Sequence, residues 1–107
     1  MQFDKDFFIT RQDRDGNYSY HSVKAAFVEI EGYENFKFFA FEDTLDRHEV
    51  VSIFNISEYH TGMQIITHPI LKYAIEEAKK LLDTVGIDGF AKMIAKKLNQ
   101  MAKPANV

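Results

Sequence analysis

The chain has 107 residues, 46% of them hydrophobic and 27% charged, with a net charge of −3 and no cysteine. That length and composition suit one soluble globular domain with its own core, and the missing cysteines exclude disulfides, thiolate metal sites and cysteine nucleophiles together. The mildly acidic balance argues against a nucleic-acid partner, which needs a basic footprint.

Met1–Asp6 lacks a basic start followed by an apolar run, so no secretory signal is expected. No apolar stretch is long enough to cross a bilayer, and the expected location is cytoplasmic. Composition changes at His68-Pro69. Residues 1–67 hold 13 of the 15 aromatic residues, with 12 acidic and 6 basic side chains. Residues 68–107 hold 4 acidic and 7 basic ones. The first part reads as strands, residues 68–103 as two helices, and 104–107 as a frayed tail, all within a single domain over 1–107.

Phe7-Phe8-Ile9-Thr10 is a short apolar run followed by Asp13-Arg14-Asp15-Gly16-Asn17, a cluster of turn formers, and then Tyr18-Ser19-Tyr20. This is a hairpin signal with Gly16 at positive φ. Asp13, Asp15 and Asn17 also match the opening of an EF-hand loop. However, Tyr18 stands where that loop needs glycine and Lys24 where it needs a closing glutamate, so the plain turn is preferred. Ala26–Glu31 satisfies both a helical stripe and a strand alternation. Its β-branched and aromatic content favours a strand, with the turn at Gly32-Tyr33-Glu34-Asn35.

Phe36-Lys37-Phe38-Phe39-Ala40-Phe41 is apolar on both parities. A sheet with one wet face alternates cleanly, so both faces of this strand must be covered. The helices can cover one. A curled sheet, a partner subunit or a small apolar ligand must cover the other. Glu42–Glu49 reads as a polar connection. Val50–Ile56 is the next strand, again apolar on both parities, running on toward Tyr59. Thr61-Gly62 makes a tight turn, and Met63-Gln64-Ile65-Ile66 a short last strand.

Thr67-His68-Pro69 opens the first helix in this reading, with proline in the first turn. Ile70, Leu71, Ala74, Ile75, Ala78, Leu81, Leu82 and Val85 form its apolar face, and Gly86 ends it. Asp88 caps a second helix whose stripe is Phe90, Ile94, Leu98 and Met101.

The four histidines, His21, His48, His60 and His68, lack the spacing of a zinc site. Asp46-Arg47-His48-Glu49 offers ligand atoms, but a solvated loop is the simpler account. Glu58, Tyr59 and His60 form the densest group of chemically capable side chains and are the candidate polar site. Alternation sends Glu58 and His60 to one face and Tyr59 to the other. Lys92, Lys96, Lys97 and Lys103 read as a solvated helix face. No nucleophile elbow, phosphate loop or dinucleotide fingerprint occurs, so no catalytic residue, metal or cofactor is implied.

Ser57–Ile65, followed by Ala74-Ile75-Glu76-Glu77-Ala78-Lys79-Lys80, resembles small orphan proteins of phages and mobile genetic elements over Ser57–Gly86. In those, a strand ending in a Thr-Gly turn leads to a short strand and an Ala/Glu/Lys helix. The resemblance implies an accessory bacterial protein with a defence- or host-related role and carries over no catalytic residue.

The expected fold is α+β: a curved, mainly antiparallel sheet of four to five strands, then two C-terminal helices packed on one face. The expected role is a small non-catalytic binding protein acting as a homodimer, with Phe39, Phe41, Val51 and Ile53 as the interface. The alternative is a small-ligand protein or enzyme with an apolar cavity inside the curled sheet, lined by the same residues.

Overall fold

The computed structural model describes residues 1–46 and 50–107, and side chains outside 44–51. Five strands form one antiparallel sheet in chain order: β1 (Lys5–Gln12), β2 (Tyr18–Val28), β3 (Phe38–Asp46), β4 (Val50–Glu58) and β5 (Gln64–His68). Two helices follow, α1 (Leu71–Val85) and α2 (Ile87–Gln100). The fold is the expected α+β meander followed by a helical pair.

The β1–β2 hairpin closes as its composition requires. Gly16 has φ +85°, and one Asp13 carboxylate oxygen accepts the backbone N–H groups of Asp15 and Asn17, both at 2.9 Å. Asp13 therefore serves the turn itself. The ambiguous run at 22–31 is strand as far as Val28, because Ala25–Val28 pair with Phe38–Phe41.

Four expected boundaries need correction. The first strand residue of β3 is Phe38, two residues later than expected. β3 then continues through Glu42–Asp46, expected as a connection, because β4 pairs with it residue for residue from Phe38↔Glu58 to Asp46↔Val50. The expected loop around Arg47, His48 and Glu49 lies outside the described residues. His68 is the last residue of β5, not the start of a helix: Phe54↔His68 and Asn55↔Thr67 draw the segment into the ladder. The His68 ring nitrogen Nδ1 accepts the Ile70 N–H at 3.0 Å, turning the chain past Pro69 into α1. Finally, Gly86 alone joins the helices and serves as N-cap of α2. Asp88 lies in the first turn, where it complements the helix dipole without capping.

The helical layer covers one face of the sheet. Val28, Ile30, Phe38, Ala40 and Ile56 pack against Ala74, Ala78, Leu82 and Phe90. Ala74 and Ala78, one turn apart, let α1 approach closely. The Phe38 and Phe90 rings stack at 5.9 Å, and each fully buried phenylalanine contributes about 1.5–3 kcal/mol.

The opposite face is covered by the sheet itself. Phe39 is 0% exposed and Phe41 5% exposed, packed with Phe7, Ile9, Ala25 and Tyr59. The sheet curls until β1 meets the β4–β5 turn. There Thr10 N–H donates to the Gly62 carbonyl at 3.0 Å and the Thr10 hydroxyl to the Thr61 carbonyl at 2.7 Å. Gly62 is obligatory at this contact: it has φ +66°, and a Cβ would lie 2.8 Å from the Phe8 carbonyl oxygen.

The segment after α2 locks the curl. Within residues 104–107, expected to fray, Ala105 and Asn106 are both buried, whereas Pro104 and Val107 are exposed. The Asn106 carboxamide accepts the Phe8 N–H at 2.8 Å and donates to the Phe8 and Tyr59 carbonyls at 2.9 and 2.8 Å. It thus satisfies the outward edge of β1 as a neighbouring strand would. Ala105 N–H donates to the His60 carbonyl at 2.7 Å, and the Tyr20 and Tyr59 hydroxyls donate to the carbonyls of Lys103 and Val107. Asn106→Ala leaves three backbone groups without a partner, and we expect it to lower the unfolding free energy by about 2–3 kcal/mol in urea titration.

A second tether holds the β2–β3 connection to α1. Tyr33 Oη donates to Asp83 at 2.7 Å, and Lys79 donates to the other carboxylate oxygen at 3.2 Å. The tyrosine hydroxyl, then the lysine, hold the Asp83 carboxyl below the usual carboxylate range. A depressed carboxyl stabilises the fold fully above its unfolded pKa, near 4, and loses that contribution as pH falls through the folded value. Tyr33→Phe should therefore lose less stability than the wild type between pH 5 and pH 2, measured by urea midpoints across that range.

Candidate functional site

Phe39 and Phe41 belong to the buried concave core. Ile53 lies on the same face, opposite Asp43, and is partly exposed. The Val51 backbone pairs with Leu45, and its side chain lies outside the described residues.

The face that is apolar around Phe7, Phe39 and Tyr59 becomes polar toward its other end. Directly opposed residues share a face. The register Phe41↔Asn55 and Phe39↔Ser57 therefore puts Asn55 and Ser57 on the concave side with Phe41. β1 contributes Ile9 and Arg11, which oppose His21 and Ser19 of β2.

A β-bulge completes the arrangement. β4 and β5 slip register between Ile56 and Ser57: Ile56 opposes Ile66, whereas Ser57 opposes Gln64. In a regular strand Gln64 and Ile66 would point the same way. The extra residue, Ile65, turns Gln64 to the Ser57 side while Ile65 and Ile66 both reach the helix-side core.

These residues enclose a hollow of about 250 Å³, lined by Ile9, Thr10, Arg11, Phe41, Asp43, Asn55, Ser57, Gly62 and Gln64. It lies where closure of the sheet fails. β1 and β5 are its two edges, and beside it Thr10 of β1 is hydrogen-bonded to Thr61 and Gly62 of the turn that precedes β5. An adjoining hollow of about 350 Å³ shares Ile9, Arg11, Phe41 and Asp43 and adds His21 and Lys24.

Ser57 decides what this hollow is. Its side chain is fully buried, and its Oγ has no hydrogen-bond partner, the sole such buried side-chain atom among the described residues. A buried hydroxyl without a partner costs about 1–3 kcal/mol. Asn55, 5% exposed, has no side-chain hydrogen bond among the described residues, and Arg11 has no ion pair there. Thr10 already donates its proton to Thr61. The hollow is therefore lined by residues with unused hydrogen-bonding groups.

The sequence leaves these residues unmarked. The available signal is parity: Asn55 and Ser57 continue the inward line of Ile53, placing two polar residues on the same side of β4 as an apolar one. The convergence of Arg11 and Gln64 with them comes from the curl and the bulge.

The expected polar site has a different role. The Glu58 carboxylate, 1% exposed, lies beside Phe36, Ile94 and Leu98, on the helix side of the sheet. One oxygen accepts the Thr61 N–H and hydroxyl, both at 2.8 Å. The other accepts the His60 N–H at 2.8 Å and faces His60 Nδ1 at 3.2 Å. Tyr59 points to the opposite face, into the concave core. Glu58 thus holds together the 58–62 turn, the same turn whose Thr61 and Gly62 carbonyls bind β1. No family model, no curated protein and no solved structure matches the chain.

Two substitutions separate these roles. Glu58→Ala strands buried N–H groups and should cost about 2–4 kcal/mol of stability. Ser57→Ala removes a hydroxyl with no partner and should stabilise the ligand-free protein by about 1 kcal/mol, read from urea midpoints at constant m-value.

Proposed function

We propose that this is a non-catalytic binding protein that takes a small polar molecule in the hollow between β1, β4 and β5. The observation that carries the reading is the buried, unpartnered hydroxyl of Ser57, a residue of the wall of that hollow. A site that binds a ligand keeps polar groups whose desolvation is compensated only when the ligand is present, at a cost to the free protein's stability. Among the described residues no histidine lines the inner hollow and no base bonds to Ser57 Oγ, so none of them activates a nucleophile there. The reading keeps the expected cavity inside the curled sheet but makes its lining polar. The likeness of residues 57–86 to phage and mobile-element proteins is compatible with such an accessory role.

A homodimer remains a second reading, on a different surface. Phe39 and Phe41 are already buried within one chain, whereas Leu81, Val85 and Met93 are each more than 40% exposed. They flank a groove with Ile65 beside the unpaired edge of β5, which carries no Asp, Glu, Lys or Arg.

Thermal shift against a library of small metabolites separates the two. Binding to the native state raises the melting temperature in proportion to the logarithm of ligand concentration. The binding reading requires this to weaken in Ser57→Ala despite that variant's higher stability. The dimer reading requires a melting temperature that rises with protein concentration and falls back in Leu81→Asp.

A further inference from the structure

We infer that the ligand of the concave hollow is a small anion, a carboxylate or phosphate monoester on a short hydroxylated carbon skeleton. The inference rests on the binding reading and assigns its chemical class.

Three observations lead there. First, the unused groups are rich in donors. Ser57 offers one hydroxyl proton, Asn55 and Gln64 offer carboxamide protons, and the Arg11 guanidinium carries five donors and no acceptor. A complementary ligand must be rich in acceptors, and a carboxylate or phosphate is the densest set of acceptors available to a small molecule. The planar fork of arginine matches both bidentately.

Second, the position of Arg11 is selective. Every β1 residue from Lys5 to Gln12 pairs with β2, so the backbone beneath Arg11 is fixed. Its side chain is exposed at the rim of both hollows and no carboxylate of the described residues lies within ion-pair distance of it. By contrast, the neighbouring cation Lys24 is paired with Asp6 on the same strand pair. Among the described residues Arg11 is thus a cation outside ion-pair distance of any carboxylate, at the mouth of a pocket that also holds the Asp43 carboxylate and, on its floor, a hydroxyl without a partner.

Third, the size and the walls set the rest of the molecule. A hollow of about 250 Å³ has room for about ten non-hydrogen atoms at interior packing density. Ile9 and Phe41 provide apolar contact for a short skeleton. Ser57, Asn55 and Gln64 can both donate and accept, which suits hydroxyl groups on that skeleton.

The test is titration by heteronuclear NMR at fixed ionic strength. The probes are malate for the carboxylate source, glycerol 3-phosphate for the phosphate source and erythritol as an uncharged polyol of similar size. The inference expects malate or glycerol 3-phosphate to shift the amides of Thr10, Asn55, Ser57 and Gln64 in a saturable way, and whichever anion binds tighter names the source. Arg11→Gln should weaken that binding at least tenfold, and Ser57→Ala about threefold to tenfold. Arg11 is exposed, so its variant should keep the wild-type melting temperature, confirming an intact fold. Saturable shifts with erythritol that match the anions and persist in Arg11→Gln would overturn the anion assignment while leaving the pocket as a binding site. Absence of any shift in the pocket amides with all three probes at millimolar concentration would overturn both.

Discussion

The fold depends on one constraint: β3 is apolar on both faces, and a single chain must remove both from water. Phe38 and Ala40 are buried by α1 and α2, whereas Phe39 and Phe41 are buried by the sheet's own curl. A flat five-stranded sheet with one helical layer would leave the second pair exposed, forfeiting several kcal/mol of a total stability of about 5–15. Curling β1 over the concave face recovers that energy, but it brings two strand edges, β1 and β5, close together without pairing them. Their backbone polar groups still need partners. Thr10, Thr61, Gly62 and Asn106 supply them at one end.

The other end stays open, and the polar hollow occupies it. Two separate pieces of local chemistry therefore create one site. The Glu58-braced turn sets how near the β4–β5 corner comes to β1. The bulge at Ser57 sets which side chains of β5 face inward. Neither Glu58 nor Ile65 touches the hollow, yet both determine its shape. The stability of the closure and the geometry of the site are thus coupled, as expected where a pocket is built at the margin of a core rather than within it.

Much of the architecture is legible in the residues themselves. The two-sided Phe36–Phe41 run requires cover on both faces, and the turn formers at Asp13–Asn17 and Thr61-Gly62 mark two hairpins. What is not legible is long-range. Asn106 meets Phe8 across 98 positions of sequence, and nothing in Pro104–Val107 distinguishes a docked segment from a loose one. The chemically capable cluster Glu58-Tyr59-His60 draws attention by composition, yet local hydrogen bonds absorb its carboxylate within the turn. Ser57, the residue beside it, is unremarkable by type and becomes informative only when its burial and lack of a partner are known. Register explains the difference: a one-residue slip against β5 is invisible in composition but decides which side chains meet.

Backbone amide hydrogen exchange at Phe8 and Thr10 tests the central claim most directly. Both N–H groups point outward from an edge strand, where an open sheet would leave them to water. If the curl is locked by Asn106 and the 58–62 turn within one chain, both amides should exchange as slowly as those of the β3–β4 ladder, at a rate independent of protein concentration. Fast exchange at both positions, or protection that disappears on dilution, would show that the second face of the sheet is covered by something other than the chain itself.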